Sequence, residues 1–353
     1  MIRVQVVGAT GYGGLGIIEL FLRHPEIEIG DLLAKNDVGR PLSDFFPHLR
    51  GFCDRVVEDA SEDRIGRDCD LVVFATPDRV GMQYAARALE RGAAVLDYSG
   101  DFRFGSLERY TEYARRHPSV AGRPHEAPGL LGKAVYGLPE LFRERIKGAR
   151  LVGNPGCFAV AMILSLAPAL TEGLVDPASI IVDGKTGISG AGKKPGALYH
   201  FPDRDGNLTP YRVGTHQHVV ETVQALSSVA GTPVKLTFVP HLAPVSRGIL
   251  TTAYAVLRRD VDAREVDELY RTFYANEPFV RIQPLGSMPS LKTVVGSNLC
   301  DLAVAIDQEN GRLIVVGAID NLLKGQAGTA MQNINLMFGF PETAGLERTP
   351  VYP

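Results

Sequence analysis

The chain has 353 residues, longer than the roughly 100 to 200 of an average domain, so two domains with a cleft for a small molecule are expected. Lys and Arg total 37 against 40 Asp and Glu, a formal net charge of -3, which excludes a dominant electrostatic partner: no nucleic acid and no anionic membrane surface. Hydrophobic residues at 45% and charged residues at 22% describe a chain able to bury a core rather than a disordered polymer.

The first residues alternate as a strand does, without the basic region and apolar core of a secretory leader. No apolar run reaches the about 18 residues of a spanning helix, so a cytoplasmic protein is expected. The strand runs into Gly8-Ala9-Thr10-Gly11-Tyr12-Gly13-Gly14, after which Leu15, Ile17, Ile18, Leu20 and Leu22 keep helical spacing until His24-Pro25. Glycines between a first strand and a first helix let backbone approach a pyrophosphate, and the helix N-terminus adds N–H donors and a favourable dipole. The bland alternative is a tight turn that needs glycine only for positive φ.

A second strand at about residues 28–33 ends in Leu33-Ala34-Lys35-Asn36. NAD enzymes place an acid there for the ribose hydroxyl, whereas Lys35 suits a 2′-phosphate and favours NADP(H), with a solvated loop lysine as the alternative. Residues 70–75 read as a buried strand entering the turn Thr76-Pro77-Asp78, a helix follows over 82–91, and 93–98 form another strand. Strands alternating with helices predict an α/β, doubly wound parallel sheet of the Rossmann type over residues 1–150.

Near residue 150 the texture changes. Asn154-Pro155-Gly156-Cys157 opens an apolar helix to about Leu170, and longer strands are expected at 179–183, 234–239, 248–257 and 313–320, an α+β second domain over 151–320. Helical spacing returns from Asn321 to Phe338.

Of four cysteines, Cys157 alone should sit at a helix N-terminus, where the dipole raises the thiolate fraction; Cys69 and Cys300 read as small core residues. A thiolate beside a nicotinamide implies covalent chemistry at an acyl carbon, a thioester reduced to a hemithioacetal, against the alternative of a packed helix-start thiol. His216-Gln217-His218 offers two imidazoles on one face if the segment is extended, after the Gly- and Pro-rich stretch 184–215; His24, His117 and His125 read as surface residues.

Together these stretches resemble the N-acetyl-γ-glutamyl-phosphate reductases of arginine biosynthesis, relatives of the aspartate-semialdehyde dehydrogenases. The resemblance rests on the glycine turn, Phe46-Pro47-His48-Leu49-Arg50-Gly51, Ser99-Gly100-Asp101-Phe102-Arg103, Tyr136-Gly137-Leu138-Pro139-Glu140-Leu141 and Asn154-Pro155-Gly156-Cys157. It continues through Ser189-Gly190-Ala191-Gly192-Lys193-Lys194, Pro240-His241-Leu242, Arg247-Gly248-Ile249-Leu250 and Ala318-Ile319-Asp320-Asn321-Leu322-Leu323-Lys324-Gly325. It implies a Cys157 nucleophile, His216 handling protons, and Arg103, Asn154, Tyr211 and His218 lining a substrate pocket. It implies NADP(H) on Gly8, Thr10, Gly11, Tyr12, Gly13, Gly14, Lys35, Thr76, Pro77, Ser189, Gly190 and Asn321, with no metal. It also implies that the last helix, about 321–353, completes the first domain, and that the second domain catalyses and dimerises, giving a homo-oligomer (dimer or tetramer).

Some positions depart from the family pattern: Phe158-Ala159-Val160 after the cysteine, Gln217 between the histidines with Val220-Glu221-Thr222 beyond, Asp78 after Pro77, and Gly100. The expected activity is NADPH-dependent reduction of N-acetyl-γ-glutamyl phosphate. A reductase of a carrier-protein-linked glutamyl or aminoadipyl phosphate is an alternative, without support from the charge, and so is a catalytically silent NADP-binding regulator.

Overall fold

The computed structural model describes residues 1–352, in two compact units: residues 1–156 with 326–347, and residues 157–325 with the tail from Arg348.

The first unit holds a seven-stranded sheet of β1 (Ile2–Val7), β2 (Ile27–Ala34), β3 (Val57–Asp59), β4 (Leu71–Phe74), β5 (Ala94–Asp97), β6 (Val135–Tyr136) and β7 (Leu151–Gly153), in the order β3-β2-β1-β4-β5-β7-β6. Every pairing is parallel. β4 and β5 are buried along their whole length, which is why they read as unbroken apolar runs: a parallel sheet is covered on both faces. The chain passes from β1 to β2 on one side and later to β4 on the other. The strand order therefore reverses between β1 and β4, and a ligand crevice opens at their carboxyl ends.

The last helix begins at Gly328, seven residues beyond the expected start at Asn321. Leu323–Ala327 is a widened π turn, so the helical periodicity of the sequence ran through two structures. The helix is tied to the first unit by polar side chains within it: Asn333 Nδ2 donates to the Gly137 carbonyl (2.8 Å), and Asn335 Oδ1 meets His24 Nε2 (3.0 Å). His24 and His125 are therefore buried, not surface residues; His125 Nε2 lies 2.8 Å from the Asp101 carbonyl, and burial pushes both imidazoles down from their ordinary range. His117 is half-buried, 3.4 Å from Asp78.

The second unit holds a mixed sheet of β8 (Ile180–Thr186), β9 (Thr209–Pro210), β10 (Leu236–Leu242), β11 (Ile249–Val256), β12 (Val280–Ile282), β13 (Cys300–Asp307) and β14 (Arg312–Ile319), in the order β12-β13-β14-β11-β8-β10-β9. β8 and β11 alternate buried and more exposed residues, the mark of a sheet covered by the unit on one face only. The cover is the helix Cys157–Thr171, buried from Phe158 to Leu170. Pro168 removes one backbone donor from that helix, and the Tyr274 hydroxyl supplies the Leu164 carbonyl instead (2.6 Å).

Candidate active site

In the first unit the turn after β1 fixes the shape of a nucleotide-sized cradle. Gly8 has φ +90°, and a Cβ there would stand 2.9 Å from the Ala75 carbonyl carbon, so the chains leaving β1 and β4 meet backbone to backbone. A Cβ on Gly14 would stand 2.8 Å from Ala9 Cα, and one on Gly13 3.3 Å from Tyr98 and Gln326, so both glycines face inward. The helix Tyr12–Phe21 starts without a side-chain cap or an acid in its first turn, leaving its positive end for an anion.

A cavity of about 460 Å³ lies here, lined by Gly8, Thr10, Gly11, Lys35, Thr76 and Pro77 among others. The Thr76 hydroxyl is buried without a hydrogen-bond partner, one polar atom the protein leaves for a ligand. A glycine cradle, a helix N-terminus, an orphan hydroxyl and a cation beyond β2 together fit a dinucleotide. Asn36, Asp37, Gln83 and Tyr84 also line the cavity and were not anticipated. The signal was there: Asn36 and Asp37 continue the loop of Lys35, and Gln83 and Tyr84 lie in the helix Gly81–Glu90 that follows the Thr76-Pro77 turn.

That wall helix stands on two acids. The Asp101 carboxylate accepts the Arg79 and Met82 N–H groups (2.9 and 3.1 Å), and burial pushes it up to about 6. Asp97, at the end of β5, accepts the Ser99 N–H (2.7 Å) and is held well above the carboxylate range by burial and then by Asp101. Arg103 is buried, its Nε donating to the Asn154 carbonyl (2.7 Å) and an Nη to the Tyr98 carbonyl (2.6 Å). Asn154 is the predicted pocket residue that the structure turns inward. It is fully buried, donates to the Gln326 carbonyl (3.1 Å) and accepts from Asn333 Nδ2 (3.0 Å), so its amide fastens the returning helix to the end of β7.

In the second unit Cys157 is the first residue of its helix and is half-buried. A Cβ on Gly325 would stand 2.7 Å from the Cys157 Cβ, so Cys157 rests against a bare glycine. The other thiols lack this setting: burial raises Cys53, and burial with Asp31 and Asp70 pushes Cys69 up to about 12. Tyr211 is held well above the phenol range, by burial first and next by Cys157, which places its hydroxyl within electrostatic reach of that sulfur.

His216 is buried in an aromatic box: its ring meets Phe158 (5.7 Å, 85°), Phe238 (5.4 Å, 87°), Tyr211 (5.7 Å, 76°) and His218 (4.7 Å, 72°). Its Nδ1 accepts the His218 N–H (3.2 Å), so the neutral ring carries its proton on Nε2. The segment is not extended as expected; His218 opens the helix His218–Ala230, and the turn before it brings the rings together instead. His218 Nε2 lies 3.8 Å from the buried Glu221.

Ser189, Gly190 and Asn321 form a second cluster of the same unit. Asn321 Oδ1 accepts the Gly248 N–H (2.7 Å) and its Nδ2 donates to Ser189 Oγ (3.0 Å). A Cβ on Gly190 would lie 3.6 Å from that same Nδ2. Asn321 thus stands in the turn after β14 rather than at the start of the last helix.

Residues 3–149 match the family described as semialdehyde dehydrogenase, NAD binding domain, and residues 157–321 match semialdehyde dehydrogenase, dimerisation domain. The N-acetyl-γ-glutamyl-phosphate reductase of Symbiobacterium thermophilum is 44% identical across 100% of the chain and 99% of its own length. That of Geobacter metallireducens is 43% identical, with 100% of both covered. In fold the chain is similar to aspartate semialdehyde dehydrogenase II of Vibrio cholerae, solved with ASA (TM-score 0.71, 16% identity, 96% of this chain and 98% of that one). It is also similar to a probable aspartate-semialdehyde dehydrogenase of Pseudomonas aeruginosa (TM-score 0.70, 19% identity, 96% and 98% covered).

Proposed function

The chain belongs to the N-acetyl-γ-glutamyl-phosphate reductases of the semialdehyde dehydrogenase family, and from that membership we propose that it reduces N-acetyl-γ-glutamyl phosphate to N-acetylglutamate semialdehyde with release of phosphate. It is an oxidoreductase that uses a nicotinamide cofactor. The observation that carries the reading is Cys157 at the start of a buried helix, with Tyr211 in its field and His216 boxed against Tyr211.

Cys157 attacks as the thiolate, favoured by the helix N-terminus. Its sulfur bonds to the acyl carbon, the carbon–oxygen bond to phosphate breaks, and the released phosphate takes up one proton. A reduced nicotinamide, when bound, supplies the hydride that the thioester accepts. His216 donates Nε2–H to the substrate oxygen as charge develops on it, in the tetrahedral adduct and in the hemithioacetal alkoxide. The alkoxide then expels the Cys157 thiolate and leaves the aldehyde. Tyr211 and His218 wall the pocket, and Arg103 offers a guanidinium for a phosphate or carboxylate oxygen.

NADP(H) is the proposed cofactor, held by the cradle of Gly8, Thr10, Gly11, Tyr12, Gly13 and Gly14 with Thr76 and Pro77; Lys35 on the cavity wall provides a cation for the 2′-phosphate. Ser189, Gly190 and Asn321 are proposed to meet its nicotinamide end. A second copy of the chain is proposed to cover the less buried face of β8 and β11, in keeping with the family description of residues 157–321. No helix among the described residues is long and apolar enough to cross a membrane, and the proposed setting is the cytoplasm.

The test runs the reaction backwards: NADP⁺, inorganic phosphate and N-acetylglutamate semialdehyde, with reduced nicotinamide followed by absorbance. Wild-type turnover that vanishes in Cys157→Ala is expected. No wild-type turnover removes the substrate assignment, and an active Cys157→Ala removes the covalent mechanism.

A further inference from the structure

Cys157 and Phe158 are adjacent on the first turn of one helix. The Phe158 ring is buried, 1% exposed, and stands edge-on both to His216 (5.7 Å, 85°) and to Phe238 (4.9 Å, 71°). Space for it is made by β8. Gly184 lies on the buried side of that strand, in line with Val182 and Thr186, and a Cβ there would come within 2.8 Å of the Phe238 ring and closer still to that of Phe158. Any larger residue at 184 would displace the two rings that flank His216.

Core packing alone needs no aromatic ring at 158. A ring held at right angles to the imidazole, however, limits His216 to one orientation. The His218 N–H fixes which nitrogen carries the proton, and the Phe158 edge bears on the plane of the ring. We propose that Phe158, seated in the slot left by Gly184, is a positioning residue that aims His216 Nε2–H at the reacting oxygen. The proposal rests on the assignment of His216 as the oxyanion donor.

The test combines kinetics with nitrogen NMR of the holoenzyme labelled at histidine, the His216 signals assigned by their loss in His216→Asn. Phe158→Leu is expected to lower kcat about tenfold with the substrate KM within about twofold. In the nitrogen spectra the His216 tautomer should lose its single Nε2–H signature as the ring tilts away from the His218 N–H. Gly184→Ala, whose methyl displaces the same ring, should shift both readouts in the same direction. Adding Phe158→Leu to Gly184→Ala should cost less than the two changes summed, because the smaller side chain vacates the slot. A lower Tm with an unmoved kcat and unmoved His216 signals overturns the positioning role. A wild-type kcat in His216→Asn overturns instead the assignment of His216, while the nitrogen signature of the tautomer in the Phe158 and Gly184 variants still reads out the positioning separately.

Discussion

The Cβ of Cys157 stands 2.7 Å from where a Cβ on Gly325 would be, and the Cys157 Cα stands 3.2 Å from it. Both neighbours are backbone or its first carbon, so nothing flexible can yield. Gly325→Ala is expected to shift Cys157, the proposed nucleophile, by a few tenths of an ångström and to lower kcat about tenfold or more, with KM less affected. Steady-state kinetics of a variant with wild-type Tm checks this, and unchanged kcat would show that the contact is indifferent to catalysis.

Thiol reactivity should follow the local fields. At pH 7.5 iodoacetamide is expected to modify Cys157 first, while Cys69, pushed up to about 12, and Cys53, raised by burial, lag well behind. Peptide mapping over time gives the order. Early labelling of Cys69 would contradict it.

Asp97 and Asp101 give a pH dependence with a definite sign. Both are raised in the folded protein, Asp101 from 3.8 to about 6, so the native state keeps protons that the unfolded chain has released. The contribution of Asp101 to stability is therefore full below pH 3.8 and is lost as pH rises through about 6, and that of Asp97 is lost in the same direction as pH rises through its own raised value. Asp97→Asn preserves the acceptor used by Ser99 and removes the charge. It should raise Tm at pH 8 by about 2–4 °C and make little difference at pH 4. Thermal scans at the two pH values decide, and a variant destabilised at pH 8 would refute the account.

Cofactor choice should depend on Lys35. Lys35→Ala is expected to raise the KM for NADPH about tenfold, on the order of 1.4 kcal/mol, and to leave the KM for NADH nearly unchanged. Equal losses with both cofactors would place Lys35 outside the 2′-phosphate site.

What could be read from the sequence was what short-range rules govern. The glycine turn at Gly8, the buried strands β4 and β5 and the helix opening at Cys157 follow from spacing and local backbone needs, and the structure has all three. Contacts set by distant partners were not legible. Asn154 was expected to line a pocket, and nothing in the sequence signalled that Asn333 and the Gln326 carbonyl, more than 170 positions away, would bind its amide. His24 and His125 sit in polar turns and were read as exposed, yet Asn335 and the Asp101 carbonyl enclose them. The rings of His216 and His218 meet, but through a turn into a helix rather than along an extended strand. The slot at Gly184 depends on how β8 faces the cysteine helix, a relation no local pattern encodes.

The chain passes from one unit to the other after Gly156, again after Gly325 and once more after Glu347, so neither unit is a continuous stretch of polypeptide. During synthesis the first unit cannot finish when residue 156 leaves the ribosome, because the Asn333 side chain that Asn154 accepts from has not yet been made. The first unit must therefore wait, incomplete, until residues 157–325 have been translated. A nascent chain stalled before the helix Gly328–Phe338 would expose the inward faces of the helices Tyr12–Phe21 and Pro139–Ile146 that this last helix covers, a natural substrate for holding chaperones.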